Sequence, residues 1–241
     1  MRTVRLRGGL GNQLFGLAFA HSVRHLTGDP VAIDVGGFER DRYRRAFVTQ
    51  DLAADLGLET GSHPSVRAAL RRLPFPGQIL EGRASVDLAS LARRGRYFDG
   101  YWQDESYIAD PETMCTRVRA FLDSKAAGAD VHDIVIHHRG YREEPIPSRR
   151  RGPSPDYVAR ATELIERRHG HTTDIVLNSD DAPSLDPFTD MAVLLRARAL
   201  ILANSSFSWW AGYCGDASIV TYPERGGAFH YPAPARRFVV V

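Results

Sequence analysis

Apolar and polar residues alternate from Thr3 to Arg7, and the run stops at Gly8-Gly9, which predicts a first strand. Phe15, Phe19, Val23 and Leu26 then recur at helical spacing, so Asn12 to Thr27 reads as a helix ended by Gly28-Asp29-Pro30. Val31 to Val35 is a short apolar run and predicts a second strand. Strand, glycine turn, helix and strand in that order open a parallel α/β sheet.

The pattern weakens between Gly36 and Gly95. Arg40 to Arg45 is a charged loop, and Val48 to Leu56 and Ser65 to Arg72 predict short helices. Tyr97 to Trp102 is aromatic and closes a strand, and Pro111 to Leu122 predicts a helix with proline at its start. Ser124 to Asp130 is small and polar, the expected boundary between domains 1–125 and 126–241. The α/β rhythm then resumes. Strands are expected at 133–138, 174–178, 199–203 and 218–222, and helices at 156–168, 190–198 and 207–214. The fold class is therefore α/β, with two Rossmann-like halves facing a cleft and ligands beyond the carboxyl ends of the strands.

The 241 residues suffice to bury a core, and the 43% hydrophobic and 25% charged content is ordinary for a globular chain. Basic residues outnumber acidic ones by only 31 to 29, so bulk charge gives no support for a nucleic-acid partner despite the basic loop from Arg142 to Arg151. No 18-residue apolar stretch predicts a membrane span, and the first residues lack the apolar core of a leader peptide. Cys115 and Cys214 have no metal-ligand partners in local register and read as two core thiols, with one disulfide as the alternative; the thiol reading fits a cytoplasmic protein. Lys125, the only lysine, sits in a linker-like stretch and is the one candidate for lysine chemistry.

Four segments carry candidate chemistry. In Gly8-Gly9-Leu10-Gly11-Asn12-Gln13-Leu14-Phe15, Gly9 and Gly11 let a ligand approach the backbone and leave helix N–H groups free for an anion. The same glycines also suit a plain tight turn, and Asn12 a plain helix cap. The segment is neither a phosphate-binding P-loop nor a dinucleotide fingerprint. His137-His138-Arg139-Gly140-Tyr141 ends a strand, where an arginine can fork onto a phosphate. His137 there is either a base or ribose contact or a core histidine. Asn178-Ser179-Asp180-Asp181 can orient a ligand or simply form an Asx turn, and one Asp-Asp step is a poor magnesium site. Asn204-Ser205-Ser206-Phe207-Ser208-Trp209-Trp210 combines a serine-rich helix start with aromatics, either an anion and base pocket or a capped core helix.

Taken together and in this order, the first and last of these segments resemble the end motifs of glycosyltransferase family 11, the α-1,2-fucosyltransferase-like enzymes. Gly100-Tyr101-Trp102-Gln103 is similar to that family's Gly-Tyr-Phe-Gln stretch, and Ser179-Asp180-Asp181 and Asp190-Met191 fall in family order. The resemblance implies a GT-B fold and inverting transfer of L-fucose from GDP-fucose to a sugar hydroxyl, with neither metal nor cofactor. It implies that Arg139 binds the β-phosphate and that His137 lies against guanine. It further implies that Asp190 pairs with guanine, that Ser206, Phe207 and Ser208 hold the nucleotide, and that Asn12 sits at the reacting centre. The family usually reads His-x-Arg-Arg-Gly-Asp-Tyr, so the second arginine and the aspartate are absent here, while Tyr141 is retained. Asp34, Asp99 and Asp104 are the candidate general bases. Competing readings are a transferase for another nucleotide sugar, an inactive GDP- or glycan-binding homologue, a Rossmann oxidoreductase and a nucleic-acid module. The acceptor, a glycan or a small molecule, is not named by any segment.

Overall fold

The computed structural model describes residues 1–40, 45–61, 77–81, 87–126, 128–138, 153–179, 186–224 and 232–241. The chain divides into two compact units, Met1–Val118 and Arg119–Val241, each an α/β unit with its own five-stranded parallel sheet.

The first unit contains β1 (Arg2–Arg5), α1 (Leu10–Thr27), β2 (Val31–Asp34), α2 (Gln50–Asp55), β3 (Glu59–Gly61), β4 (Gln78–Leu80), α3 (Leu88–Arg94) and β5 (Tyr97–Asp99). Its sheet order is β3-β2-β1-β5-β4. α1 buries Leu14, Phe15, Leu17, Phe19 and Val23. A buried side chain of this size contributes about 1.5–3 kcal/mol. Gly16 lets α1 close on the chain after β1, because a Cβ there would lie 2.4 Å from Leu6 Cδ1. α1 ends where Gly28 turns left-handed at φ 71° and its N–H bonds back to the Arg24 carbonyl. Phe19 stacks on Trp102 at 4.0 Å between ring centroids and meets Phe98 and Tyr107 edge-on.

Helix α4 (Pro111–Lys125) contains the division between the units, and Lys125 is its last residue. The second unit continues with β6 (Ile134–His138), α5 (Pro155–His169), β7 (Ile175–Ser179), α6 (Pro187–Arg196), β8 (Ala199–Ile201), α7 (Ser206–Cys214), β9 (Ile219–Tyr222) and β10 (Val239–Val240). Its sheet order is β10-β9-β8-β6-β7. Each of these helices starts on a side-chain cap: Ser154 for α5, Asp186 for α6 and Ser205 for α7. α5 packs Tyr157, Ala161 and Ile165 against Ile134, Ala199 and Ile201. The buried Tyr157 hydroxyl donates to the Leu202 carbonyl at 3.0 Å. Burial pushes its ionisation well above the ordinary tyrosine range.

The expected strands and helices of the second unit are present within a few residues. The helix expected at Ser65 to Arg72 lies outside the described residues. β3, β4 and β10 had no counterpart in the sequence pattern, because two or three residues do not show a period, and the seven-residue α3 fell in the weakly patterned stretch before Gly95. The expectation of two core thiols is corrected: neither cysteine is free, and Cys115 and Cys214 are both disulfide-bonded. Sequence separation says nothing about spatial distance, and the support that free thiols gave to a reducing compartment falls away. Among the described residues no helix is long and apolar enough to cross a membrane.

His21 on α1 has both ring nitrogens buried with no hydrogen-bond partner among the described residues. Burial lowers its pKa below the ordinary histidine value; His25, Arg24 and Arg117 act in the same direction and Asp110 opposes them. The unfolded chain therefore takes up this proton first, and stability falls as the pH drops below the unfolded value of about 6.5. Thermal melts taken from about pH 7.5 to 5.5 are expected to show a falling Tm, and His21→Leu to flatten that fall.

Candidate functional site

The carboxyl edge of the first sheet is built around the turn from β1 into α1. Gly8 takes φ 83°, a left-handed conformation suited to glycine. A Cβ on Gly8 would also sit 2.4 Å from Asn12 Nδ2. Gly9 is the N-cap of α1 and offers no side chain for capping. Gly11 and Asn12 thus lie in the first helical turn, and Asn12 is not the cap that the sequence allowed.

Gln13, one residue further, is buried and makes four hydrogen bonds. Its Nε2 donates to the Gly8 carbonyl at 2.9 Å and the Ala46 carbonyl at 2.8 Å. Its Oε1 accepts from Val48 N–H at 3.0 Å and Thr49 hydroxyl at 3.2 Å. The sequence reading included Gln13 in the motif without giving it a role; its partners lie up to 36 residues away.

Across the same edge, β1 and β5 run on as neighbours. Arg5 donates to Asp99 Oδ2 at 2.9 Å, and Arg7 pairs with Asp99 Oδ1 at 3.1 Å. The Arg7 guanidinium also lies 4.5 Å from the Tyr101 ring centroid. Gln103 Nε2 donates to Asn12 Oδ1 at 2.7 Å. Between Tyr101 and Gln103, the fully buried Trp102 takes φ 56°, the one positive φ at a non-glycine residue among the described residues. Such a conformation costs about 1–3 kcal/mol, and the Phe19 stack holds it in place.

The three candidate bases are all engaged. Asp34 is fully buried, accepting from the Tyr97 hydroxyl at 2.8 Å and Gly36 N–H at 3.0 Å. Asp99 lies between two guanidiniums. Asp104 accepts from Ser106 N–H at 2.9 Å, capping the short 3-10 turn Glu105–Tyr107.

At the carboxyl edge of the second sheet, His137 is the last but one residue of β6 and Phe207 the second residue of α7. Their rings stack at 5.7 Å between centroids with planes 27° apart. Ser205 caps α7 through Phe207 N–H, and Ser206 is the first residue of that helix. Ser208 differs from its neighbours: it is fully buried, and its hydroxyl donates to the Ala203 carbonyl at 3.3 Å. Its side chain is held in the core. Asp190 lies in the first turn of α6, half-buried. Arg139, Tyr141, Asp180 and Asp181 lie outside the described residues. Among the described residues no group of three or more His, Cys, Asp or Glu side chains could hold a metal ion.

No protein-family model matches the chain, and no curated protein matches it. Solved structures do. The fucosyltransferase NodZ from Bradyrhizobium is 17% identical, with 88% of this chain and 91% of that chain covered and a TM-score of 0.44. The ADP-heptose lipopolysaccharide heptosyltransferase II of E. coli is 10% identical, with 100% and 90% covered and a TM-score of 0.45. An Arabidopsis thaliana FUT1 mutant in complex with GDP is 14% identical, with 90% and 68% covered and a TM-score of 0.41.

Gln13→Leu removes the partners of two carbonyls and one N–H at once. Urea unfolding of this variant is expected to show a loss of about 2–4 kcal/mol, since each buried group left unpaired costs about 1–3 kcal/mol.

Proposed function

We propose that the chain is a GT-B-type glycosyltransferase that moves L-fucose, or a close deoxysugar, from a GDP-sugar to a hydroxyl of a glycan or small molecule. The observation that carries this reading is the stack of His137 on Phe207 beside the N-terminus of α7. Two segments 70 residues apart in the chain meet in this stack, where the buried His137 ring backs the half-buried Phe207 ring next to a helix start. The accessible part of the Phe207 ring suits a nucleobase, and the start of the helix suits its phosphates. Asp190 and Ser206 are assigned to the same nucleotide, and Arg139 to its β-phosphate.

In the proposed reaction the bond from sugar C1 to the β-phosphate oxygen breaks, and a bond from C1 to the acceptor oxygen forms on the opposite face. The acceptor proton leaves to phosphate or water, in keeping with the engaged state of Asp34, Asp99 and Asp104. Charge on the departing phosphate is met by Arg139, the helix start and Ser206, with neither metal nor cofactor.

Calorimetric titration of GDP into chelator-treated protein is the direct test, with UDP and ADP in parallel. Binding of GDP alone is expected. Binding of UDP or ADP instead assigns another nucleotide sugar, and binding of none overturns the reading. Phe207→Ala is expected to weaken GDP binding about 10-fold, in line with the ~1–3 kcal/mol of a base stacked on an aromatic ring.

Arg139→Ala is expected to lower turnover of GDP-fucose by about 10²–10³-fold with the fold intact by circular dichroism. Near-unchanged turnover removes Arg139 from the site.

A further inference from the structure

Gln103 lies outside any strand or helix, yet its position is held at every point around it. A Cβ on Gly100 would lie 2.5 Å from Glu81 Cβ and 2.9 Å from Trp102 Cε2, so the chain can turn there only as glycine. The Glu81 carboxylate accepts from Tyr101 N–H at 2.6 Å and Gln103 N–H at 3.3 Å. Trp102 is buried on Phe19, and its left-handed backbone turns the next residue out towards α1. The end of this construction is one hydrogen bond, from Gln103 Nε2 to Asn12 Oδ1 at 2.7 Å.

That bond does more than hold a rotamer. A carboxamide has one accepting end and one donating end. Gln103 occupies the accepting end of Asn12, and the donating end lies over Gly8, where a side chain would collide with it. Asn12 therefore faces a ligand as a hydrogen-bond donor.

We propose that Gln103 is a positioning residue for the transfer step, fixing Asn12 so that it presents its N–H groups to an oxygen of the reacting donor. This inference rests on the GDP-sugar reading above. In that step Asn12 donates to an oxygen that gains negative charge as the C1–O bond breaks, and takes no proton from the acceptor.

The test uses the full chain, GDP-fucose as donor, water as acceptor and GDP release as the readout. Calorimetric GDP binding and thermal melts are run on the same samples. Gln103→Met keeps the size and removes the amide. It is expected to lower kcat about 10-fold or more, with KM for GDP-fucose, GDP affinity and Tm close to those of the unaltered chain. Gln103→Glu can only accept, which turns the Asn12 amide round, and is expected to lose as much as Asn12→Ala. The double variant Asn12→Ala/Gln103→Met is expected to be no slower than Asn12→Ala alone, because Gln103 acts only through Asn12.

Unchanged kcat in Gln103→Met overturns the proposal and leaves the GDP-sugar reading standing. So does a double variant whose losses multiply, since that is the signature of a merely structural role. Absence of both GDP binding and GDP-fucose turnover in the unaltered chain overturns the reading and this inference together.

Discussion

The edge of the first sheet depends on the saturated amide of Gln13. Two donors and two lone pairs are the whole capacity of a carboxamide, and Gly8, Ala46, Val48 and Thr49 use all of it. Three of the four partners are backbone groups in turns, where no ladder would satisfy them. The turn between β1 and α1 is thereby fixed to the segment that leads into α2. Successive helical residues point about 100° apart. With Gln13 directed inwards, Asn12 is directed along the edge, where Gln103 meets it. One buried amide thus sets the direction of the half-buried one beside it.

The strand-turn-helix opening was legible because its residues are neighbours in sequence, and so was the alternation of strands and helices through the second unit. The periodic apolar face of α5 matches its packing on β6 and β8, whereas the Asp186-Pro187 start of α6 was passed over and that helix was begun at Asp190. The Asn12–Gln103 bond was not legible. Both residues stood in motifs, but they are 91 residues apart, and only strand order brings β5 beside β1. The role of Gln13 was hidden for the same reason. The left-handed backbone at Trp102 had no signal at all, since an isolated tryptophan rarely adopts it. The oxidised state of Cys115 and Cys214 was misread because local spacing was the only guide.

The two sheet edges are chemically unlike, and the difference bears on how the proposed reaction divides its labour. The second edge carries the half-buried Phe207 ring backed by His137 and the helix start at Ser206, to which the proposed reaction assigns the nucleotide. The first edge offers amides and guanidiniums, and its carboxylates are held. Asp99 is shared by Arg5 and Arg7, and Asp34 is sealed beneath Tyr97. What remains available at this edge is hydrogen-bond donation in fixed directions. Fixed donors are effective where charge develops on an oxygen, since they need no reorganisation as the bond breaks. In the proposed reaction such donors suit the charge that develops on the leaving group. Donation of this kind fits a transition state in which bond breaking runs ahead of proton transfer, so that the acceptor hydroxyl loses its proton late, when little driving force is required.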